Sequence, residues 1–253
     1  MNPSLTGPEA PVIIGSGRVG GSLAAAARRA GLEVELRDRS HGLDGLGGRV
    51  VLLCVPDQEI ATLANQIGAT PERPGPVGHT SGATEVSALL GAGTAETFSI
   101  HPLQTIPDSE TDLRGCPAAV AGATAESLEV ARELARLTGM APFEIDEADR
   151  VIYHAAASIA SNFLVTIEQT AAGLLGSVSD RDPRELLGPL VRSSLGNWLE
   201  RGPAALTGPI ARGDEATVSA HREALADRRP DLLPFYDANA ERARDLVREA
   251  GSG

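Results

Sequence analysis

Short apolar runs that alternate with helix-forming stretches, followed by a strand-free remainder rich in alanine and leucine, predict an α/β chain. The expected architecture is a doubly wound, mostly parallel sheet with an all-helical region after it. Three observations carry this expectation: a strand, glycine turn and helix over residues 11–31, the repetition of strand, loop and helix up to residue 145, and the loss of strand signals from Asp146 onward. The boundary is placed there, giving domains of residues 1–146 and 147–253.

Val12 to Ile14 form the first strand and run into Gly15-Ser16-Gly17-Arg18-Val19-Gly20, a G-x-G-x-x-G turn. Gly15 permits the tight turn and Gly17 lets the backbone approach a dinucleotide pyrophosphate. Gly20 lets the helix pack close to the strand, so that its first N–H groups face the anion. Leu23 to Ala30 continue the helix, Gly31 ends it, and Glu33 to Arg37 give the second strand. Arg49 to Cys54 is a buried strand, followed by Val55-Pro56-Asp57, with Asp57 as N-cap of a helix from Gln58 to Ile67. Val77 leads into a loop holding His79, Thr80 and Ser81, and a short helical stretch surrounds Glu85 to Leu90. Thr97 to Ile100 is a strand ending in His101-Pro102, and Pro117 to Val120, Glu126 to Leu137 and Ala141 to Ile145 supply a further strand, helix and strand. Beyond the boundary, helices are expected from Glu147 to Leu175, Pro183 to Arg201, Asp214 to Asp227 and Asp231 to Glu249. A turn-rich loop covers residues 206–214, with Asp214 placed to cap the helix after it.

A net charge of −12 opposes binding to nucleic acid or an anionic membrane surface, so any anion must be held locally. No leader is read at the N-terminus and no apolar stretch is read as approaching membrane-spanning length, so a cytoplasmic protein is expected. The two cysteines, Cys54 and Cys116, lack metal-ligand spacing, and no metal is expected. All 22 basic residues are arginine, so a mechanism that needs a lysine is excluded.

After the second strand, Asp38 stands where an acidic side chain binds an adenosine ribose diol, which favours NAD. Arg39 and Ser40, with Arg37 as a further donor, can instead hold the 2′-phosphate of NADP. Charge-assisted arginine contacts outweigh one carboxylate, so NADP is favoured over NAD. Farther along, His154, Ser158 and Asn162 fall at i, i+4 and i+8, a polar ladder of about 12 Å on one helix face. Imidazole titrates nearest neutrality, so His154 is the candidate proton donor, with Ser158 and Asn162 orienting a substrate. His79 and His101 follow strands, where loops gather around ligands, and are candidates to meet His154.

In order, Gly15 to Gly20, Val55 to Asp57, His79 to Ala83, His101 to Gln104, Tyr153 to Ala157 with Asn162, and Leu206 to Asp214 resemble the signatures of one family. It comprises Rossmann-like proteins carrying the domain of unknown function 2520, a branch related to 6-phosphogluconate dehydrogenase-like reductases. The resemblance implies an N-terminal NAD(P)-binding domain, a helical domain that supports a homodimer, and oxidoreductase activity. The wider superfamily includes ketopantoate reductases, β-hydroxyacid dehydrogenases and pyrroline-carboxylate or imine reductases, which commonly place lysine and asparagine along the first interdomain helix. Here His154, Ser158 and Asn162 stand instead. The resulting expectation is NADP-dependent reduction of a small, ketopantoate-like 2-oxo acid by hydride transfer in the cleft between the domains, with Arg212, Asp214 and the residues His79, Thr80, Ser81 and His101 around the substrate. Imine or pyrroline-carboxylate-type reduction is the second reading, and a non-catalytic NADP-responsive binding protein is the third.

Overall fold

The computed structural model describes residues 10–251. Residues 1–9 and 252–253, the outer ends of the two expected domains and the stretch in which no leader was read, lie outside the described residues. The chain divides into two compact units, residues 1–164 and 165–253.

The first unit is built on a seven-stranded sheet in the order β2-β1-β3-β4-β5-β6-β7, from β1 (Val12–Ile14), β2 (Glu35–Arg37), β3 (Val51–Leu53), β4 (Val77–His79), β5 (Thr97–Pro102), β6 (Pro117–Gly122) and β7 (Ala141–Glu144). Every neighbouring pair is parallel except β5 with β6. Strand alternation sends side chains to two cores. On one face Ile13, Leu52, Phe98, Ile100 and Val120 pack under α1 (Arg18–Arg29) and α3 (Ala125–Leu137), through Leu23, Val130 and Leu134. On the other, Val12, Ile14, Val51, Leu53 and Val77 meet Ile60, Ala64 and Ile67 of α2 (Asp57–Gly68) and Leu89 of a 3-10 helix at Val86–Ala92. Helices on both faces of a mostly parallel sheet make this the doubly wound α/β fold that the alternation predicts.

The strands end at Glu144, close to the change in composition at Asp146, yet the first unit extends to Leu164. Its last part is α4 (Arg150–Ser158) and a π-helical turn at Ile159–Phe163. The reason is Arg150, whose fully buried side chain ties the start of α4 to the sheet. It donates to Ser99 Oγ at 2.6 Å and to the Ser81 carbonyl at 3.3 Å, and it is paired with Glu147. Glu147 in turn accepts from Val86 N at 2.7 Å.

Helical structure is continuous over Glu147–Gly176, a run of 30 residues that contains an 18-residue window with a mean hydropathy of 1.2. That is long and apolar enough to cross a bilayer, which corrects the sequence reading. The alanines scattered among its polar residues hide the run from inspection, because none of its apolar stretches is long by itself.

The second unit is helical: α5 (Leu164–Gly176, of which Leu164 belongs to the first unit), α6 (Pro183–Arg201), α7 (Glu215–Arg228) and α8 (Leu233–Gly251). Asp182 caps α6 ahead of Pro183, and Asp214 caps α7 by accepting from Thr217 N at 3.1 Å and from its hydroxyl at 2.7 Å. Among the described residues of this unit only Val218 and Ala240 are buried. Leu195, Trp198 and Leu199, spaced to share a face of α6, are exposed.

Candidate active site

The turn after β1 forms one wall of a cavity of about 970 Å³. Gly15 adopts φ +114°, and a Cβ there would lie 2.2 Å from the Cys54 carbonyl oxygen. In the same turn a Cβ on Gly20 would lie 1.9 Å from the Gly15 carbonyl oxygen, whereas Gly17 faces open space. No side chain caps α1 and no acidic residue lies in its first turn, so its leading N–H groups are left to an anion. These features fit a dinucleotide pyrophosphate. Of the residues expected from sequence to hold the cofactor, Gly15, Ser16, Gly17, Arg39, Ser40, Val55 and Pro56 all line this cavity.

Arg37 does not line it. Its neighbour Asp38 lines the cavity, and strand alternation turns Arg37 away, into burial. There its guanidinium donates to Glu35 at 2.7 Å and to the carbonyls of Gly42 and Asp44 at 3.0 and 2.9 Å, organising the loop after β2. Asp57 is also displaced from its expected role: Pro56 is the N-cap of α2 and Asp57 is its first residue, lining a second cavity.

That second cavity, of about 490 Å³, begins where the glycine turn ends, at Arg18 and Val19. Thr80, Ser81, His101, His154, Ser161 and Asn162 also line it. An adjoining space of about 540 Å³ shares His101, His154, Ser161 and Asn162 and adds Tyr153 and Ser158. All of these residues belong to the first unit.

The π-turn accounts for the way helix residues reach the cavity. In an unbroken α-helix Asn162, eight residues after His154, would be rotated by about 80° from it. The π-turn at Ile159–Phe163 spends an extra residue per turn and carries Asn162 back toward His154, with Ser161 beside it. Ser158 reaches only the adjoining space. Ser161 escaped the sequence reading because a regular i, i+4, i+8 ladder has no place for it.

His101 and His154 meet edge to face, their ring centroids 5.8 Å apart. His101 Nδ1 is 2.7 Å from the Tyr153 hydroxyl. Burial pushes the Tyr153 phenol up to about 12, so it keeps its proton. Burial, with His154 and Arg150 nearby, brings His101 down to about 4, so its imidazole is neutral at pH 7. With the phenol as donor to Nδ1, the imidazole proton sits on Nε2. His154 Nδ1 is buried and has no hydrogen-bond partner among the described residues. Both nitrogens converge on Gly82: a Cβ at that position would lie 2.6 Å from His154 Nδ1 and 2.8 Å from His101 Nε2.

His79 does not join this pair. It is fully buried, its Nδ1 accepts from Ser81 N at 3.2 Å and its Nε2 lies 3.3 Å from the Glu85 carbonyl, and burial lowers it to about 4. It shapes the loop that presents Thr80 and Ser81. Arg212 and Asp214 belong to the second unit, where Arg212 is exposed and Asp214 spends both carboxylate oxygens on the α7 cap. Arg150 was not singled out from sequence, and Tyr153 and Gly82, though inside segments that were, had been assigned no part of their own. Only the close approach of segments far apart in the chain gives them their roles.

The fold recurs in solved structures. BF3122 of Bacteroides fragilis, described as a candidate NADP oxidoreductase, is 22% identical with a TM-score of 0.78, over 94% of this chain and 98% of that one. Protein TM1727 of Thermotoga maritima is 20% identical with a TM-score of 0.77, over 95% and 99% of the two chains. Pyrroline carboxylate reductase of Plasmodium falciparum, solved with NADP bound, is 12% identical with a TM-score of 0.60, over 95% and 98%. No curated protein matches the sequence. Residues 116–243 match the family described as Domain of unknown function (DUF2520), which covers half of the chain and runs from β6 through the helical unit to α8. This Rossmann-like α/β protein therefore belongs to the DUF2520 family.

Proposed function

We propose that this protein is an NADP-dependent reductase that adds hydride to the carbonyl or imine carbon of a small substrate. The observation that carries the reading is the convergence of His101 Nε2 and the unpartnered His154 Nδ1 beside Gly82, in a cavity that starts where the dinucleotide turn ends. Bound NADPH supplies the hydride. The turn of Gly15 to Gly20 holds the pyrophosphate, and Arg39 with Ser40 receives the adenosine 2′-phosphate. His101, kept neutral by burial and with Nδ1 engaged by Tyr153, offers its Nε2–H to the substrate oxygen as negative charge develops. His154 holds the same atom from the other side and delivers the proton, which solvent replaces. Asn162, Ser161 and Thr80 orient the rest of the molecule.

A ketopantoate-like 2-oxo acid is the leading substrate, its carboxylate held by Arg18, Thr80 and Ser81. A cyclic imine is the second reading. It is favoured by the cavity's charge, because Arg18 is the one arginine among the residues lining the two histidine-bearing spaces. The imine reductases among the similar structures favour it as well: the Plasmodium enzyme and a reductive aminase from Aspergillus terreus with a TM-score of 0.63. We also propose that the helical unit is completed by a second copy of the chain, since it buries so few of its own apolar side chains.

The test is NADPH oxidation against ketopantoate, other 2-oxo acids and cyclic imines, with NADH in parallel. Gly82→Ala, which sets a methyl group between the two imidazoles, should lower kcat by about 100-fold or more while dinucleotide affinity stays unchanged. Tight NADPH binding with no turnover on any of the substrates, or full turnover by Gly82→Ala, would overturn the catalytic reading.

A further inference from the structure

At the end of the glycine-turn cavity remote from His154, two carboxylates and one guanidinium stand together. Asp38 directs Oδ1 at Ser40 N (2.8 Å), Ser40 Oγ (2.6 Å) and His41 Nδ1 (2.9 Å). Those bonds, Ser40's first, hold its carboxyl near 2, so it is an anion at any working pH. Oδ2 takes none of the three bonds and remains available to a ribose hydroxyl. Arg39, the next residue, reaches across to Glu59 Oε1 at 2.6 Å. Glu59 lies in the first turn of α2, on a different segment from the β2 loop, and all three charged residues line the same cavity.

The two forms of the dinucleotide meet different obstacles here. An adenosine diol finds an acceptor in Asp38 with nothing to break. A 2′-phosphate needs Arg39, one of whose amino groups is already spent on Glu59, and it meets the like charge of the Glu59 carboxylate as well. Resting on the reading that this cavity takes a dinucleotide, we propose that Glu59 is a specificity-determining residue. By holding Arg39 it handicaps the phosphorylated cofactor and keeps the unphosphorylated one competitive. Glu59 touches neither the reacting atoms nor the histidine pair, so its effect is confined to cofactor choice.

The experiment is a titration of NADPH and NADH, followed by nicotinamide fluorescence, into the unaltered protein, Glu59→Gln, Arg39→Ala and the double variant, with the melting temperature of each ligand-free form. An exposed ion pair of this kind leads us to expect Glu59→Gln to tighten NADPH by about three-fold and leave NADH unchanged. Arg39→Ala should weaken NADPH by about ten-fold, and in that background Glu59→Gln should no longer help. Equal changes for both dinucleotides, a change in melting temperature alone, or the same gain without Arg39 would each overturn the proposal while leaving the dinucleotide reading intact. An unaltered protein that binds neither dinucleotide would overturn both.

Discussion

The sheet unit and the helical unit solve the problem of burial in opposite ways. The first packs two cores against the two faces of its sheet and buries even an arginine, Arg150, with its hydrogen bonds made inside the unit. The second has well-capped helices but buries only Val218 and Ala240 among its described residues, and leaves Trp198 57% and Leu199 71% exposed. Good helices are thus not a sufficient core. Local signals such as caps and proline positions specify α6 and α7, whereas the apolar side chains they carry stay exposed within the unit, which is the ground for the proposed second copy.

The largest effect that would sharpen this contrast is at Arg150. Arg150→Met removes the guanidinium that satisfies Ser99 Oγ and the Ser81 carbonyl, and should cost about 3 kcal/mol in urea denaturation. A loss below about 1 kcal/mol would mean that the sheet unit does not depend on its buried ion pair. Next is Trp198→Ala. On a monomer so exposed a side chain would change stability by no more than about 0.5 kcal/mol. If a second copy covers it, a loss of about 2 kcal/mol is expected, with a shift toward monomer in analytical ultracentrifugation. A monomeric unaltered protein would break the comparison.

The smallest effect is on pH dependence, between pH 7 and pH 6. Buried His79 and His101 have folded values near 4, below the unfolded value of 6.5, so the unfolded chain binds more protons. The stability they contribute is complete above pH 6.5 and is lost as pH falls toward 4. Thermal melts should show a shallow decline that steepens below pH 6, and His79→Gln should flatten it.

Sequence alone was sufficient for the order of strands and helices, the glycine turn and the Asp214 cap, because each depends on neighbours within a few residues. At His154 and Asn162 it offered only a shared helix face, a placement that an unbroken helix would have weakened and that the π-turn restores. It misjudged Arg37 because a cationic side chain at a strand end can turn either to the ligand or to its own loop, and the residue type is silent on the choice. It assigned Gly82 and Tyr153 no part of their own, since their partners are brought together from β5 and α4 by the sheet.

The contacts of Arg150 also bear on the order of folding. Its contacts with Ser81 and Ser99 span 69 and 51 residues, far longer than the connections between successive strands. Long-range closures of this kind come late, after the local units that they join. The loop that carries Thr80, Ser81 and Gly82 is therefore expected to gain its contact with Arg150 only once α4 has docked. A chain stopped at residue 146 would retain all seven strands while lacking both His154 and the arginine that secures that loop.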